Sequence, residues 1–528
     1  MGSTYRITAN YCPLLNNNYF KCSLNISRYT TKAKNEEKAD RTFISFADLV
    51  KTRQHQAQRS IVVKLNKFHD ADFCREYFSQ FGTIKHIWHY TTQLYHPDMI
   101  LMEYSSQQAI NDILDAAKVS TDVSDSVPIQ TTVFQFQKFK TKTPHVVDNS
   151  VPKYCHQYPT PRLLKSRLKN IESISNQMMM FCKVMKLTDI DIRLRYFTAH
   201  QLLLCFSKLF PTISVLPFGS SAAGLGTMGC DLDLVCVFNQ NHPQQMMKIS
   251  NELVFTSKSY SLFDRTHQKE FLRSMSFVMH HFVPGINNTK TILNARVPII
   301  KFIYSFAQLN CDLSSNNMSG FYMTELLYTF TEMDKRVRPL IFTIRKWAAA
   351  VTVTVEVPSN KLTNFSLTLL IMFYLQRCKI LPPVTKLFRL SDSHRFCQIL
   401  STEAIQTQIN TKVNNSTLLD LLLGFFEFYG TFDFRTHGIC ILEGILKPKL
   451  DLSPIYIYNP VEPTLNVSRN VSLDELTFFI QKTIAAISVM TKSSSNVKLL
   501  DLLRDSGTNR TNIRNRSQEI LLTPSIKE

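Results

Sequence analysis

The order of apolar and polar positions divides the chain into stretches with different periods. The N-terminal part alternates strand and helix patterns in the order βαββα, at residues 60–65, 70–81, 84–90, 99–104 and 106–117. A mixed stretch follows from about residue 160 to 320, and from Thr324 onward the apolar positions recur at helical spacing. The chain has 528 residues, well beyond the length at which a single hydrophobic core stops growing. We therefore predict an α+β chain with two or three domains.

The N-terminal strands and helices predict a small module over residues 46–140. Its element order, with a candidate last strand at Gln130–Gln135, resembles an RNA-recognition motif, which is a ferredoxin-like sandwich of one sheet and two helices. A motif that binds RNA displays aromatic side chains on the strand before Glu103, where this chain has Met99 and Leu101. We expect the module to serve in packing or in homodimerisation rather than in base stacking.

The mixed stretch contains a turn rich in glycine and serine between two strand patterns, Ser214–Phe218 and Leu232–Phe238. Such a turn offers backbone N–H groups and hydroxyls of the kind that bind phosphates. Successive side chains of a strand alternate between its two faces, so Asp231 and Asp233 point the same way while Leu232 points into the core. The stretch therefore predicts a phosphate-binding turn beside two carboxylates.

These carboxylates predict a metal site. Asp231 and Asp233 stand among leucines and valines on an apolar strand, and a buried carboxylate without a partner costs several kcal/mol. A divalent cation is a suitable partner, because Mg²⁺ prefers oxygen ligands and shares them with substrate phosphates. A later short strand carries Asp312, which would complete a triad able to hold two ions. The pattern favours nucleotidyl transfer, although nucleotide-sugar glycosyltransferases also use an Asp-x-Asp pair, to hold Mn²⁺.

Composition points to a polyanionic partner and to a reducing compartment. The formal net charge is +19, which favours association with nucleic acid or anionic lipid. No apolar run reaches the roughly 20 residues that a membrane-spanning helix needs. The 12 cysteines contain no Cys-x-x-Cys pair and no Cys/His cluster at zinc spacing, so we expect neither disulfides nor a structural zinc.

Residues 1–35 have the composition of a mitochondrial transit peptide. They contain five basic residues, no Asp or Glu, many Ser, Thr, Asn and Tyr residues, and no continuous apolar block. A merely disordered basic arm is the alternative. Removing these residues lowers the net charge from +19 to +14, so the basic character belongs to the rest of the chain.

Other segments carry weaker patterns. The chain between Thr141 and Arg162 has no period and predicts a connector, and residues 491–528 predict a polar, basic tail. A helix is expected from His242 to Lys258, and one strand from Ile292 to Tyr304.

Several sequence blocks together resemble a known enzyme family. In chain order they are Gly219-Ser220 with Asp231-Leu232-Asp233, Cys311-Asp312-Leu313-Ser314, Ile344-Arg345-Lys346-Trp347, Thr363-Asn364-Phe365-Ser366, and Tyr458-Asn459-Pro460 with Leu465-Asn466. This order, from about residue 160 to 485, is similar to that of the non-canonical poly(A) and poly(U) polymerases, which belong to the polymerase-β-type nucleotidyltransferases. The resemblance implies a nucleotidyltransferase palm at 160–320, whose first helices could pack with the helical part, and a helical poly(A)-polymerase-associated domain at 321–490.

The resemblance also implies roles for the residues of the palm. Asp231, Asp233 and Asp312 would be the catalytic ligands of two Mg²⁺ or Mn²⁺ ions, with Asp312 nearest the 3′-hydroxyl of the RNA primer. Gly219 and Ser220 would hold the triphosphate of ATP.

In the helical domain, the resemblance implies a nucleotide pocket. Arg345 would reach the phosphates, and Asn364 and Phe365 would contact the triphosphate and the base. Asn466 would lie beside the base. A histidine commonly precedes this asparagine in relatives that favour UTP, whereas Leu465 precedes it here and favours ATP.

The resemblance thus implies a template-independent enzyme that adds adenylates to RNA 3′ ends in the mitochondrial matrix, as a homodimer joined by the N-terminal module. An RNA uridylyltransferase or a nucleotidyltransferase of relaxed specificity is the nearest alternative. A catalytically silent RNA-binding scaffold is the alternative of another class.

Overall fold

The computed structural model describes residues 43–65, 70–91, 98–118, 131–135, 153–155, 161–238, 264–355, 359–388, 400–410, 414–491 and 499–503. The predicted transit peptide, the helix expected from His242 to Lys258, most of the connector and almost all of the predicted tail lie outside these residues.

The helices are α1 Phe46–Gln58, α2 Asp70–Ser79, α3 Gln108–Ala116, α4 Pro161–Leu168, α5 Ile174–Met185, α6 Asp189–Ser207, α7 Gly219–Ala222, α8 Arg265–Phe282, α9 Met318–Met333, α10 Val337–Ala350, α11 Asn364–Arg377, α12 Thr402–Asn410, α13 Leu418–Gly430, α14 Leu473–Thr491 and α15 Leu499–Leu502. The strands are β1 Ser60–Lys64, β2 Ile84–Thr91, β3 Met99–Tyr104, β4 Val133–Gln135, β5 Lys153–Cys155, β6 Ile213–Phe218, β7 Leu232–Phe238, β8 Ile286–Ile292, β9 Ile299–Tyr304, β10 Leu309–Ser315, β11 His437–Cys440, β12 Ile445–Pro448 and β13 Ile457–Tyr458.

The chain folds as two units. The first comprises Met1–Gln157, Leu187–Ala222 and Met228–Thr324, so it contains both the N-terminal module and the strands around the glycine-rich turn. The second comprises Tyr158–Lys186, Ala223–Thr227 and Glu325–Glu528, so α4 and α5 belong to the helical unit. No helix among the described residues is long and apolar enough to span a membrane.

The N-terminal module contains a five-stranded sheet in the order β4-β1-β3-β2-β5. Strand β3 runs antiparallel to both β1 and β2, as expected for a βαββαβ module. Strand β4 runs parallel to β1, whereas β1 and β4 are antiparallel in a ferredoxin-like sheet. The strand order therefore agrees with the sequence pattern, and the resemblance to an RNA-recognition motif stays a prediction.

Both faces of this sheet are buried. Ile61 and Val63 of β1 pack in a core with residues of α2 and α3, while Val62 belongs to a second core with Leu194 and Phe197 of α6. The Tyr90 hydroxyl donates a hydrogen bond to the Phe306 carbonyl, which follows β9. The sheet face on which an RNA-recognition motif stacks bases is therefore covered by the palm. Homodimerisation through the module stays a prediction and would need another surface.

The second sheet of this unit has the order β6-β7-β10-β9-β8, in which only β7 and β10 are parallel neighbours. Helices α6 and α8 pack on one of its faces, where Leu232, Leu313 and Phe302 are buried with Leu202 and Phe271. The opposite face carries the side chains that alternate with these residues, including Asp233 and Asp312. Polar positions on an otherwise apolar strand thus mark the face that carries the predicted site.

The prediction of a single strand from Ile292 to Tyr304 is wrong. The structure has a hairpin there, in which β8 ends at Ile292 and β9 begins at Ile299 after the bend Asn294–Val297. Strand β8 escaped prediction because it is a polar edge strand, INNTKTI, with a break in register between Asn287 and Lys290. An edge strand exposed to solvent does not need the apolar alternation from which strands are predicted.

The second unit is mostly helical. Trp347 of α10 is buried against Phe426 of α13, with ring centroids 4.7 Å apart. Phe425 and Tyr429 are also fully buried, and the Tyr429 hydroxyl donates a hydrogen bond to the Leu370 carbonyl at 2.8 Å. Phe425, Phe426 and Tyr429 of α13 therefore form core, and a small sheet in the order β12-β11-β13 completes this unit.

Candidate active site

One row of side chains crosses the second sheet from strand to strand. Cross-strand pairing aligns Phe218 of β6 with Asp233 of β7, Asp233 with Asp312 of β10, Asp312 with Lys301 of β9, and Lys301 with Lys290 of β8. Residues paired in this way project from the same face of a sheet. Asp233 and Asp312, which are 79 positions apart in the sequence, are therefore direct neighbours on the sheet. Lys301 and then Lys290 follow them toward the sheet edge.

Asp231 lies immediately before β7 and is exposed, which corrects the prediction that it stands on a buried strand. Its backbone is held from α6 and α7. The Ser221 hydroxyl donates to the Asp231 carbonyl at 3.2 Å, and the buried Arg195 donates to Ser221 Oγ at 3.1 Å and to the Cys230 carbonyl at 3.0 Å. Arg195 and Ser221 thus fix the chain at Asp231 and leave the Asp231 carboxylate exposed.

Gly219 packs its backbone against the Asp233 carboxylate. A Cβ atom at this position would lie 2.2 Å from Asp233 Oδ2, and the φ angle of +72° is itself unfavourable for other residues. The Gly219 N–H donates to Thr324 Oγ1 at 2.8 Å, so this amide is already bonded within the protein. The close approach of Asp233 explains why this position is a glycine. Ser220 is half-buried in the same turn, and its binding of phosphate stays a prediction.

The charges of the row perturb one another. Burial raises the pKa of Asp233 to about 7, and the charges of Asp312 and Asp231 add to this rise, while Lys301 opposes it. Burial acts to lower the pKa of Lys301, but its hydrogen bond to Asp312 and the charges of all three aspartates outweigh burial and raise it. The three carboxylates and Lys301 therefore form one electrostatic cluster in which carboxylates outnumber the single ammonium group.

The donor chemistry of this cluster suits Mg²⁺ or Mn²⁺, which prefer carboxylate oxygens. Within the described ranges, however, no three His, Cys, Asp or Glu side chains lie close enough together to hold a metal ion. Lys301 Nζ donates to both carboxylate oxygens of Asp312, at 2.8 and 2.7 Å, so a cation at Asp312 would compete with this lysine. The residues thus fit a cation in type and in strand register, provided that Asp312 exchanges its lysine for the ion.

Arg345 of α10 anchors part of the glycine-rich turn. Its Nε and Nη2 donate to Thr368 Oγ1 at 2.9 and 2.6 Å, and its Nη1 donates to the Leu225 carbonyl at 3.2 Å. Leu225 and Arg345 both belong to the second unit. The structure therefore gives Arg345 a positioning task in this turn, and its predicted contact with phosphates stays a prediction.

Asn364 and Phe365 open α11. Thr363 is the N-cap of this helix, and its side chain accepts a hydrogen bond from the Ser366 N–H. Asn364 is exposed and Phe365 is half-buried, so both leave surface for a ligand. Their predicted contacts with nucleotide stay predictions.

Asn466 is buried and supports its own loop. Its Oδ1 accepts hydrogen bonds from the Ile457 and Ser468 N–H groups at 3.1 and 2.9 Å, and its Nδ2 donates to the Ile455 carbonyl at 3.0 Å. One N–H of the amide is left for other partners. A base contact by Asn466 stays a prediction, and the bonds present give this side chain a structural role.

Sequence reasoning missed three residues that support the site: Arg195, Ser221 and Thr324. Arg195 had a signal, since a charged residue that falls on the buried stripe of α6 needs a specific partner. Ser221 and Thr324 had none, because a single hydroxyl reveals its hydrogen bonds only in three dimensions.

Comparison with known proteins identifies the family to which this chain belongs. The family model for the central palm domain of mitochondrial-like poly(A) RNA polymerase matches residues 174–332, and the model for Cid1 family poly(A) polymerase matches residues 417–464. The mitochondrial poly(A) RNA polymerase of Drosophila melanogaster is 34% identical over 451 residues, which cover 82% of this chain and 73% of the relative. The chain belongs to the mitochondrial poly(A) RNA polymerase family.

Other members of this family agree. The human mitochondrial poly(A) RNA polymerase is 32% identical over 445 residues, covering 82% of this chain and 75% of the relative. A crystal structure of mtPAP in complex with ATPγS aligns with a TM-score of 0.78 and 28% identity, over 88% of this chain and 100% of that one. Crystal structures of mtPAP with GTP, UTP and CTP align similarly, with TM-scores of 0.77, 0.79 and 0.79. The family predicted from the sequence blocks is thus confirmed.

Proposed function

We propose that this protein is a mitochondrial, template-independent adenylyltransferase that extends RNA 3′ ends with ATP. The observation that carries the proposal is the pairing of Asp233 with Asp312 across β7 and β10, with Asp231 beside them, in a chain of this family. Burial and the charges of Asp312 and Asp231 together raise the pKa of Asp233, so the arrangement costs energy unless a cation is bound. It suits a reaction in which cations and phosphates meet.

In the proposed reaction, the 3′-hydroxyl oxygen of the primer attacks the α-phosphorus of ATP. A new phosphodiester bond forms, the bond to the β-phosphate oxygen breaks, and pyrophosphate leaves. Asp231, Asp233 and Asp312 would hold the two divalent ions, which neutralise the phosphates and lower the pKa of the attacking hydroxyl. The protein's remaining contribution is to position these groups.

Positioning begins with the backbone around the aspartates. Arg195 and Ser221 hold the backbone at Cys230 and Asp231, which keeps the Asp231 carboxylate near enough to Asp233 for its charge to act on that residue. Gly219 lets the turn approach the Asp233 carboxylate. Phosphates bound at this turn would therefore lie beside the carboxylates that share their ions.

ATP preference rests on the loop that ends at Asn466. Its fold is fixed by the Asn459 amide oxygen, which accepts hydrogen bonds from the Val461 and Glu462 N–H groups, and by the Asn459 N–H, which donates to the Leu465 carbonyl. The Leu465 side chain is half-buried and offers no hydrogen bond to a uracil. Since mtPAP has been crystallised with ATPγS, GTP, UTP and CTP, binding alone is a poor measure of selection. Turnover is the better measure.

A labelled single-stranded RNA primer, incubated with each NTP separately and with Mg²⁺ or Mn²⁺, tests the proposal. We expect extension with ATP and at least about tenfold slower extension with UTP, because a missing hydrogen-bond partner changes a rate by this order. Leu465→His should raise the rate with UTP relative to ATP. Equal use of the two nucleotides by the wild type would favour the relaxed nucleotidyltransferase, and no product with any nucleotide would favour the RNA-binding scaffold.

Mitochondrial localisation is supported by the names of the relatives and by the composition of residues 1–35. An import assay with isolated mitochondria should show uptake of the full chain into a protease-protected matrix fraction. A chain that begins at residue 36 should remain outside, and its uptake at an unchanged rate would remove residues 1–35 as the targeting segment.

A further inference from the structure

Lys301 is the only basic side chain among those that the row places directly beside its carboxylates. On β9, Ile300 and Phe302 point into the core, so Lys301 projects from the opposite face, beside Asp312. Its Nζ donates to both oxygens of that carboxylate, and the Lys301 and Asp312 side chains are 43% and 21% exposed. The lysine is therefore accessible from solvent while it holds a carboxylate that the proposed reaction assigns to a cation.

Asp312 cannot serve both partners fully. Its two oxygens are bonded to one ammonium group, and a divalent ion would take at least one of them. An ammonium group held beside a dication would also be repelled by it. Ion and lysine therefore compete, and binding of the ion requires Lys301 to move.

The sheet provides a place to which Lys301 can turn. Its cross-strand neighbour on the far side from Asp312 is Lys290, which is exposed on the edge strand β8. Two neighbouring lysines on an open face repel each other and attract a polyanion. A backbone phosphate of RNA that lies along this face would satisfy both ammonium groups.

We propose that Lys301 is a positioning residue that competes with the divalent ion for Asp312 and pairs with a backbone phosphate of the RNA primer when the ion displaces it. This inference rests on the proposed function. Its consequence is that RNA draws Lys301 away and frees Asp312, so RNA and the metal ion raise each other's affinity by the same factor. The lysine thereby links completion of the metal site to the presence of a primer.

The test uses the full-length protein without ATP, Mn²⁺ as the metal probe, and single-stranded oligoadenylate as the RNA. Electron paramagnetic resonance measures free Mn²⁺, with a titration of the RNA alone to subtract its own binding. For the wild type, we expect oligoadenylate to raise Mn²⁺ affinity by about threefold to tenfold. Lys301→Met should bind Mn²⁺ tighter than the wild type by a similar factor without RNA, and RNA should no longer change its Mn²⁺ affinity.

RNA binding supplies the second readout. Lys301→Met should lower RNA affinity and reduce the slope of log affinity against log salt by about 0.7, the value for one phosphate contact on a single strand. Lys290→Met is the matched control, because it should lose a similar RNA contact while leaving Mn²⁺ affinity unchanged. Lys301→Arg should retain RNA binding. In an Asp312→Asn background, Lys301→Met should no longer tighten Mn²⁺ binding.

Two outcomes would overturn the inference: Lys301→Met with unchanged or weaker Mn²⁺ binding, or coupling between RNA and Mn²⁺ that persists in this variant. A merely structural lysine would give the first of these. If the wild type still extends RNA with ATP, such results would reject the role of Lys301 and leave the proposed function standing. Failure of the wild type to form any product would reject the proposed function itself.

Discussion

Alanine in place of Asp312 is expected to lower adenylate addition by at least about 10³-fold, because each ion contributes several kcal/mol of charge neutralisation in such a reaction. The fold should remain. Asp312 is partly exposed, and its loss removes a like charge from the cross-strand pair with Asp233 while it frees Lys301, which is 43% exposed. The melting temperature should therefore stay within about 3 °C of the wild type.

Primer extension with ATP and a thermal melt of the same preparation measure the two effects. Asp115→Ala is the matched control, since this carboxylate is exposed on α3, outside the row. Asp231→Ala should resemble Asp312→Ala in both assays. An Asp312→Ala variant that retains a tenth of wild-type activity would remove the two-metal mechanism, and a variant that melts far below the wild type would show that the carboxylate is structural.

The aspartates could be found from the sequence because their signal is local. Acidic residues at alternate positions of an apolar strand predict a shared face, which suits Asp233 on β7 but not Asp231, which lies just before this strand. The resemblance of the later block implies the same role for Asp312. Their cross-strand pairing required the sheet order β6-β7-β10-β9-β8, which places strands that are distant in sequence side by side. Lys301 was visible as a basic residue in an apolar strand, but its bond to Asp312 follows from the register alone.

The glycine-rich turn shows a second limit of prediction from sequence. Its residues predict phosphate binding, yet the Gly219 N–H is used by Thr324, and Arg345 bonds the Leu225 carbonyl. Asn466 likewise keeps its loop in shape. Sequence motifs identify where such residues cluster, whereas the choice between holding a ligand and holding the site depends on hydrogen bonds between distant segments.

Loss of the ion pair between Glu103 and Arg193 is expected to have the second large effect, a fall in stability. Glu103 is fully buried on β3, where its Oε2 accepts a hydrogen bond from Arg193 Nη1 of α6 at 2.6 Å and its Oε1 lies 3.3 Å from Arg59 Nη2. The Arg193 guanidinium also lies 4.5 Å from the centre of the Trp88 ring. This ion pair joins the N-terminal module to the palm within the first unit. We expect Arg193→Ala to destabilise this unit by about 3 kcal/mol, because it leaves a buried carboxylate with one partly exposed partner.

Thermal and denaturant unfolding, with hydrogen exchange of the β1 and β3 amides as a probe of the first unit, measure this change. Arg193→Ala should lower the melting temperature by about 6 °C or more. The matched control is Arg273→Ala, an exposed arginine on α8, which should have little effect. The double variant Glu103→Leu, Arg193→Leu should recover most of the loss, since an apolar pair avoids the desolvation of buried charges. A stable Arg193→Ala variant would contradict the assignment.

The same ion pair bears on the proposed catalysis, because α6 contacts both the module and the candidate active site. Arg193 faces Glu103 of the module, and two residues later Arg195 holds Ser221 and the backbone before Asp231. A displacement of α6 caused by Arg193→Ala should therefore move the support of Asp231 and lower extension activity below the melting temperature. Deleting residues 46–140 would additionally expose Leu194 and Phe197 of the palm core. Loss of activity after such a deletion would thus reflect damage to the palm, and single substitutions at this junction separate that damage from a role of the module in dimerisation.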